Sequence, residues 1–422
     1  MHAFSFPSGL DTSPEQVALS TCEAVRLITE EAALTPAAGE EIRLETVVSE
    51  GHVVDQGQPI ATLHGSTTIS IVAPMAGRIA SMELRPGRRL VQIVLFRERG
   101  GDRHVFNTKG AEADPGVLRN LLQQSGIWRL VRSRPFGAMP RVDEHPAAIF
   151  VMASDSRPGS PDPRLAIQGR EDAFERGLSA LTTLTDGPVF LVASKGKVPG
   201  DDLRRVTRLT SGRLHPMGLA GLHVHRRFPA TPKAPIWDVQ AEVVANLGDL
   251  LATGLLPETL LVSLTGTALR EPRLVHCQAG ADLRGLSREV VEPGPHVVLS
   301  GSVLDGASAH WLRPRDRQAS VIRKETQHER SHWFRNALRT ASRPLPIIPT
   351  AALNQSFGGN FPAAAFVRAL AAGDIETATK FGALSFLEED LSLADFVTAA
   401  DPPLSRQLRV LLDRVQDEEF GQ

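Results

Sequence analysis

The chain has 422 residues, 42% hydrophobic and 22% charged, with a formal net charge of −2. That is room for roughly two to four domains with real cores, and no long-range field that would draw nucleic acid or anionic lipid. Its two cysteines, Cys22 and Cys277, stand far apart without a CxxC partner, which excludes a four-cysteine iron–sulfur cluster held within the chain and argues against a disulfide framework.

Residues 20–107 alternate short β-like runs (IRLETVV, PIATLH, TISIVA, GRIASMEL, LVQIVLF) with Gly and Pro turns. Turns about every 8–12 residues point to a small all-β sandwich or barrel. Two similar turns, GHVVDQGQ and RPGRRL, flank a central hairpin, and the segment resembles the swinging-arm domain of biotin and lipoyl enzymes. Such a domain carries its prosthetic group on a hairpin lysine. Here that place falls near Ser66, in Ser66-Thr67-Thr68, and the first lysine of the chain is Lys109. A carrier role fails on chemistry, and a scaffold is expected instead.

The character changes at DPGVLRNLLQQSGIWRLV. Asp114 is placed to cap a helix with Pro115 in its first turn, Leu118, Leu121 and Leu122 form its apolar face, and Gly126 interrupts it. AAIFVMASDS and PVFLVAS read as buried strands, with REDAFERGLSALTTL as the helix between them (Phe174, Leu178 and Leu181 inward). DDLRRVTRLT and GLHVH are expected to extend this sheet, and the amphipathic DVQAEVVANLGDLLATG to close it. Residues 258–322 turn β-rich again, and from Pro362 four short helices are expected, with Gly373-Asp374 stopping one and starting the next. The longest apolar stretch, LLATGLLPETLLVSLTGTAL, holds Pro257 and Glu258 near its middle, so neither a membrane span nor an N-terminal signal is expected.

A parallel sheet invites a nucleotide at the loop after its first strand. That loop, ASDSRPGSPDPRLAIQGRED, has no GxGxxG or P-loop, and Pro158, Pro161 and Pro163 remove N–H groups that a phosphate needs. Lys195 and Lys197 in the next loop read as solvated, so no dinucleotide or flavin site is expected. His215, His223 and His225 cluster in HPMGLAGLHVH. The last two, at i and i+2, would share one strand face, but no carboxylate or cysteine completes a ligand set. Structural histidines, or the lining of a polar pocket, are expected, and no metal. GIWRLVRSRPFG sets Trp128 and Phe136 beside Arg132, Arg134 and Pro135 at the junction of barrel and sheet. It is a candidate surface for a flat ring or a partner protein. The Arg-rich stretch 313–339, with Trp311, Trp333 and Phe334 interspersed with Asp316, Glu325 and Glu329, reads as a solvated interaction surface. No nucleophile–base pair stands at convincing spacing and tyrosine is missing, so no catalytic residue is assigned.

RNLLQQSGIWRLVRSRPFG, AIFVMASDSRPGSPDPRLAIQGREDAFERGLSALTTLTDGPVFL, HPMGLAGLHVH, SLTGTALREPRLV, LSGSVLDG and ALSFLEEDLSLADFV together resemble the A subunit of the bacterial sodium-translocating NADH:quinone oxidoreductases. More remotely, they are similar to the C subunit of Rnf complexes and the flavin-binding subunit of respiratory complex I. The resemblance implies an α+β multidomain chain: a lipoyl-like barrel-sandwich hybrid over 1–110, a Rossmann-like α/β domain over 111–257, a β-grasp ligand-binding domain over 258–345 and a helical domain over 346–422. It implies a peripheral subunit on the cytoplasmic face of the bacterial inner membrane that binds no cofactor itself. Quinone is a possible substrate, and the flavins and the iron–sulfur centre are expected on membrane-embedded and flavin-carrying partner subunits. Two segments depart from the family pattern, AHWLRPRDRQASV after SGSVLDG and TAALNQSFGGNFP near 350. They leave open a diverged docking subunit of another redox complex. A soluble flavin-dependent NADH dehydrogenase is the remaining alternative, against which the missing phosphate loop stands.

Overall fold

The computed structural model describes residues 9–12, 19, 22–324, 351–359 and 361–420. Trp333, Phe334, Glu325 and Glu329 lie outside the described residues. Two antiparallel sheets build the first unit. One runs Glu31–Leu34, Arg89–Arg97, Gly77–Arg85, Val53–Val54, and the other Leu44–Thr46, Pro59–Leu63, Ser66–Val72. Each of the five expected β runs contributes a strand. Their inward residues, among them Leu44, Ile60, Ile71, Ile79, Ile93 and Leu95, fill one core, as period-two alternation dictates. At the lysine-less hairpin, Ser66 and Thr68 share a hydroxyl hydrogen bond of 3.1 Å. Val25–Arg26 departs from this unit: it pairs in parallel with Arg273–Cys277 in a different sheet.

The second unit is a five-stranded sheet in the order Val206–Thr210, Val189–Ala193, Ala148–Ala153, Ile236–Gln240, Arg132–Arg134, parallel except for the last strand. The helix Pro115–Gln124 leads in, its N-cap Asp114 accepting from the N–H groups of Gly116 (2.7 Å) and Val117 (3.3 Å). Glu171–Leu181 buries Phe174, Leu178 and Leu181 against Ala241–Thr253. These two helices cross closely because Gly177 and Gly248 face the other's backbone: a Cβ would come 2.0 Å from the Val244 carbonyl and 1.7 Å from that of Ala173. Two expectations are corrected. GLHVH is not a strand but part of the helix Ala220–Arg227, and DVQ is not helical but ends the strand Ile236–Gln240. In both, tertiary placement overrides a short local pattern. Ile236–Gln240 fills the vacant side of Ala148–Ala153 and is buried along most of its length.

A six-stranded sheet follows, ordered Val25–Arg26, Arg273–Cys277, Leu260–Thr265, Gln318–Arg323, His296–Ser300, Ala307–Ser308. The C-terminal unit packs Ala351–Ser356, Ala363–Ala372, Ile375–Lys380, Ser392–Thr398 and Leu404–Phe420 around Phe357, Phe361, Phe366 and Phe386. Four of the five were expected, and Ala351–Ser356 was not. Gly373 (φ 66°) ends one helix and Asp374 caps the next through the Thr377 N–H at 3.0 Å. Among the described residues no helix is long and apolar enough to cross a membrane.

Candidate functional site

Strand order reverses at Ala148–Ala153: the chain runs outward through Val189–Ala193 and Val206–Thr210, then returns to the other flank as Ile236–Gln240. Ligands of open α/β sheets sit in the crevice that such a reversal opens at the strands' carboxyl ends. A cavity of about 800 Å³ lies there, touching Met152, Ser154, Asp155, Val239 and Gln240. All four units wall it: the barrel through Ala37 and Glu40, the last sheet through Asp305 and Arg315, and the C-terminal helices through Leu387, Glu389 and Arg409. Along Leu404–Phe420 the lining residues Ser405, Arg409, Asp413 and Gln416 recur at helical spacing and so share one face.

The structure narrows the candidate surface of Trp128, Arg132, Arg134, Pro135 and Phe136. Trp128 is fully buried, donates from its indole to the Pro140 carbonyl at 2.8 Å and stands edge-on to Trp237. Arg134 is 0% exposed, and Pro135 is buried beside it. Only Arg132 and Phe136 line the cavity. Phe136 is half-buried, its ring edge-on to Phe420 at 5.8 Å.

Arg132 and Arg134 point into carboxylates. Arg132 holds Asp238 at 2.8 Å and also reaches Glu389. Arg134 holds Asp238 at 2.7 Å and Asp390 at 2.8 Å, and donates to the Ser385 carbonyl at 2.7 Å. Burial by itself would push Asp238 up, but the two guanidinium groups win and hold it at about 2. Asp390 goes the other way: burial outweighs Arg134 and raises it. Asp390 further accepts from the N–H groups of Leu387 (2.8 Å) and Gly221 (3.1 Å). This cluster bolts the α/β sheet to the C-terminal helices. Asp238, Glu389 and Asp390 were missed from sequence. A charge between the apolar residues of IWDV was the available signal.

The three histidines do not converge. His215, in the loop before Ala220–Arg227, is 0% exposed with Nδ1 3.2 Å from the Ser156 hydroxyl, and burial pushes it down to about 4. His223 contacts the Met217 carbonyl through Nε2 at 2.8 Å, whereas His225 stacks on Phe386 and meets Phe361 edge-on. None lines the cavity, so the expected polar pocket is replaced by three separate packing sites. On a helix, residues i and i+2 diverge. Among the described residues no group of three or more His, Cys, Asp or Glu side chains is placed to hold a metal.

The turn Arg313-Pro314-Arg315-Asp316, closed by the Asp316 N–H donating to the Arg313 carbonyl at 3.1 Å, adds further guanidinium groups to the wall. Asp316 is half-buried rather than fully solvated as expected. Burial raises it, and it accepts from the Ser300 hydroxyl at 2.6 Å.

Two family descriptions match the chain, "NqrA second alpha/beta domain" over residues 113–256 and "NQRA C-terminal domain" over 261–310. The chain is 31% identical to the A subunit of the Na(+)-translocating NADH-quinone reductase of Pasteurella multocida, over 96% of this chain and 97% of that one. It is 30% identical to the same subunit of Pseudomonas aeruginosa strain PAO1, over 88% and 90%. Among solved structures it is similar to a chain of an NAD+-reducing NiFe hydrogenase at TM-score 0.39 and 12% identity, covering 71% of this chain and 63% of that chain, a likeness too slight to carry an argument.

Proposed function

The chain belongs to the NqrA family, the A subunits of Na(+)-translocating NADH-quinone reductases, and from that premise we propose a cofactor-free peripheral subunit on the cytoplasmic face of the bacterial inner membrane, contributing to quinone binding. Its partners are the membrane-embedded and flavin-carrying subunits that move electrons from NADH and translocate sodium. The observation that carries the quinone reading is the cavity at the strand-order reversal, with Phe136 on its wall. Phe136, Leu130, Met139 and Leu387 offer apolar contact to a ring, while guanidinium groups on the same wall suit a ligand whose polar atoms are carbonyl acceptors. A loop bearing Pro158, Pro161 and Pro163 where a phosphate would rest supports the cofactor-free part.

The test uses membranes of a host lacking this chain. Adding back the full chain should restore NADH-driven quinone reduction and co-purify the other subunits. Phe136→Ala should raise the KM for quinone on the order of tenfold, about 1.4 kcal/mol, with unchanged co-purification. Restored assembly with an unchanged KM would leave a docking role and remove quinone from this cavity. Failure to restore reduction or to co-purify would overturn the whole reading.

A further inference from the structure

Most carboxylates on the cavity wall are already engaged, the Oε1 of Glu40 being left without a hydrogen-bond partner. Asp238 is held by Arg132 and Arg134, Glu242 by Arg317 at 2.5 Å, and Asp155 and Asp305 by Arg157 at 2.7 and 3.2 Å. Glu40 accepts from the Ala37 N–H at 2.9 Å and faces Arg129 at 3.4 Å. Arg315 differs. Its guanidinium donates only to backbone carbonyls, those of Gly137 (3.0 Å), Arg129 (3.2 and 3.3 Å) and Val131 (3.5 Å), and no carboxylate lies within ion-pair distance among the described residues. Burial weakens its hold on its proton, down to about 10, with Glu40 and Asp238 pulling up and Arg132 and Arg129 pushing down. Carbonyl dipoles orient this cation without neutralising it. Arg313, two residues earlier in the same turn, also lines the cavity and makes no ion pair among the described residues. The nearest carboxylate in sequence, Asp316, accepts from the Ser300 hydroxyl at 2.6 Å and makes no ion pair with Arg313.

A half-buried positive charge, oriented by carbonyl dipoles and with no carboxylate in ion-pair distance, gains most when something anionic arrives. We infer that the Arg313–Arg315 turn forms an oxyanion subsite on the cavity wall, taking the phosphate or carboxylate group of a small metabolite. The planar fork of a guanidinium matches either group in geometry, with charge-assisted hydrogen bonds. The subsite is independent of the quinone reading, since it is built from different residues of the wall.

The test is thermal unfolding of the purified full chain, titrated at constant ionic strength with inorganic phosphate in one arm and acetate in the other, against sodium chloride. A ligand that binds only the folded state raises Tm saturably. Saturable stabilisation by either anion, not matched by chloride, is the expected result, and the tighter of the two identifies the group. Arg313→Gln, at a half-buried side chain, should weaken that binding on the order of tenfold, while Arg313→Lys should retain part of it. Identical curves for phosphate, acetate and chloride would overturn the subsite, and so would a wild-type saturation curve in Arg313→Gln. Should Arg313→Gln unfold on its own, equilibrium dialysis of radiolabelled phosphate with Arg313→Lys and wild type decides, with equal affinity counting against.

Discussion

Two arginine-rich stretches, RLVRSRPFG and LRPRDRQ, border one cavity, and Arg134 of the first and Arg315 of the second end in different electrostatic states. In the first, Arg132 and Arg134 are charge-paired: three carboxylates from a neighbouring strand and from the C-terminal helices meet two guanidinium groups, and the stretch becomes a bolt between units. In the second, Arg317 pairs with Glu242, whereas Arg315 donates only to carbonyls and has no carboxylate in ion-pair distance among the described residues. Composition alone ranks the first as the better ligand surface because it carries Phe136, with Trp128 next to it. What separates them is the counter-charge, and that arrives from residues more than a hundred positions away.

The sharpest way to break this contrast is to remove the bolt. Arg134→Ala leaves Asp238 and Asp390 buried without their shared cation, so unfolding free energy should fall by roughly 3–5 kcal/mol, read as a lower denaturant midpoint. A loss under 1 kcal/mol would mean that the cluster is solvated in solution, and that Arg134 is free to serve as a ligand after all.

A buried base tests the same idea with one group. His215 titrates at about 4 in the folded chain because burial disfavours its charged form, against about 6.5 when unfolded. Below the unfolded value the unfolded chain takes up the proton first. The stabilisation is therefore fully present above about pH 6.5 and is lost as pH falls towards 4, by roughly 3 kcal/mol in all. Denaturant unfolding at stepped pH should show this slope, and His215→Asn should flatten it. Carboxylates such as Asp238, held at about 2, add their own loss only at lower pH. An equal slope in the variant would place a water or a counter-charge on His215.

The smallest effect comes from steric crowding of the bolt. A Cβ at Gly221 would stand 2.2 Å from an Asp390 carboxylate oxygen. Gly221→Ala should thus cost about 1–3 kcal/mol by displacing Asp390, whereas alanine ordinarily favours a helix over glycine. A stabilised variant would show that Asp390 moves aside freely and that the bolt is loose.

Local patterns were legible wherever they determine structure by themselves. The five β runs of the first unit, the Asp114 and Asp374 caps, the Gly373 stop and the wholly buried strand Ala148–Ala153 stood in the sequence, because alternation, capping and continuous apolarity act over a few residues. So did the lack of a lysine at the hairpin, which decides against a carrier on chemistry alone. The cavity was not legible, nor was the fate of each charge. GLHVH reads equally as strand or helix over five residues, and packing of the C-terminal phenylalanines around His225 selects the helix. Trp128 and Arg134 look like a surface until Trp237, Asp238 and Asp390 close over them. Residues so distant in sequence meet only when the sheets and helices are docked. A guanidinium group becomes a bolt or a binding site according to which carboxylates that docking brings within about 4 Å, where the Coulomb term in a partly dry interior outweighs anything local sequence contributes.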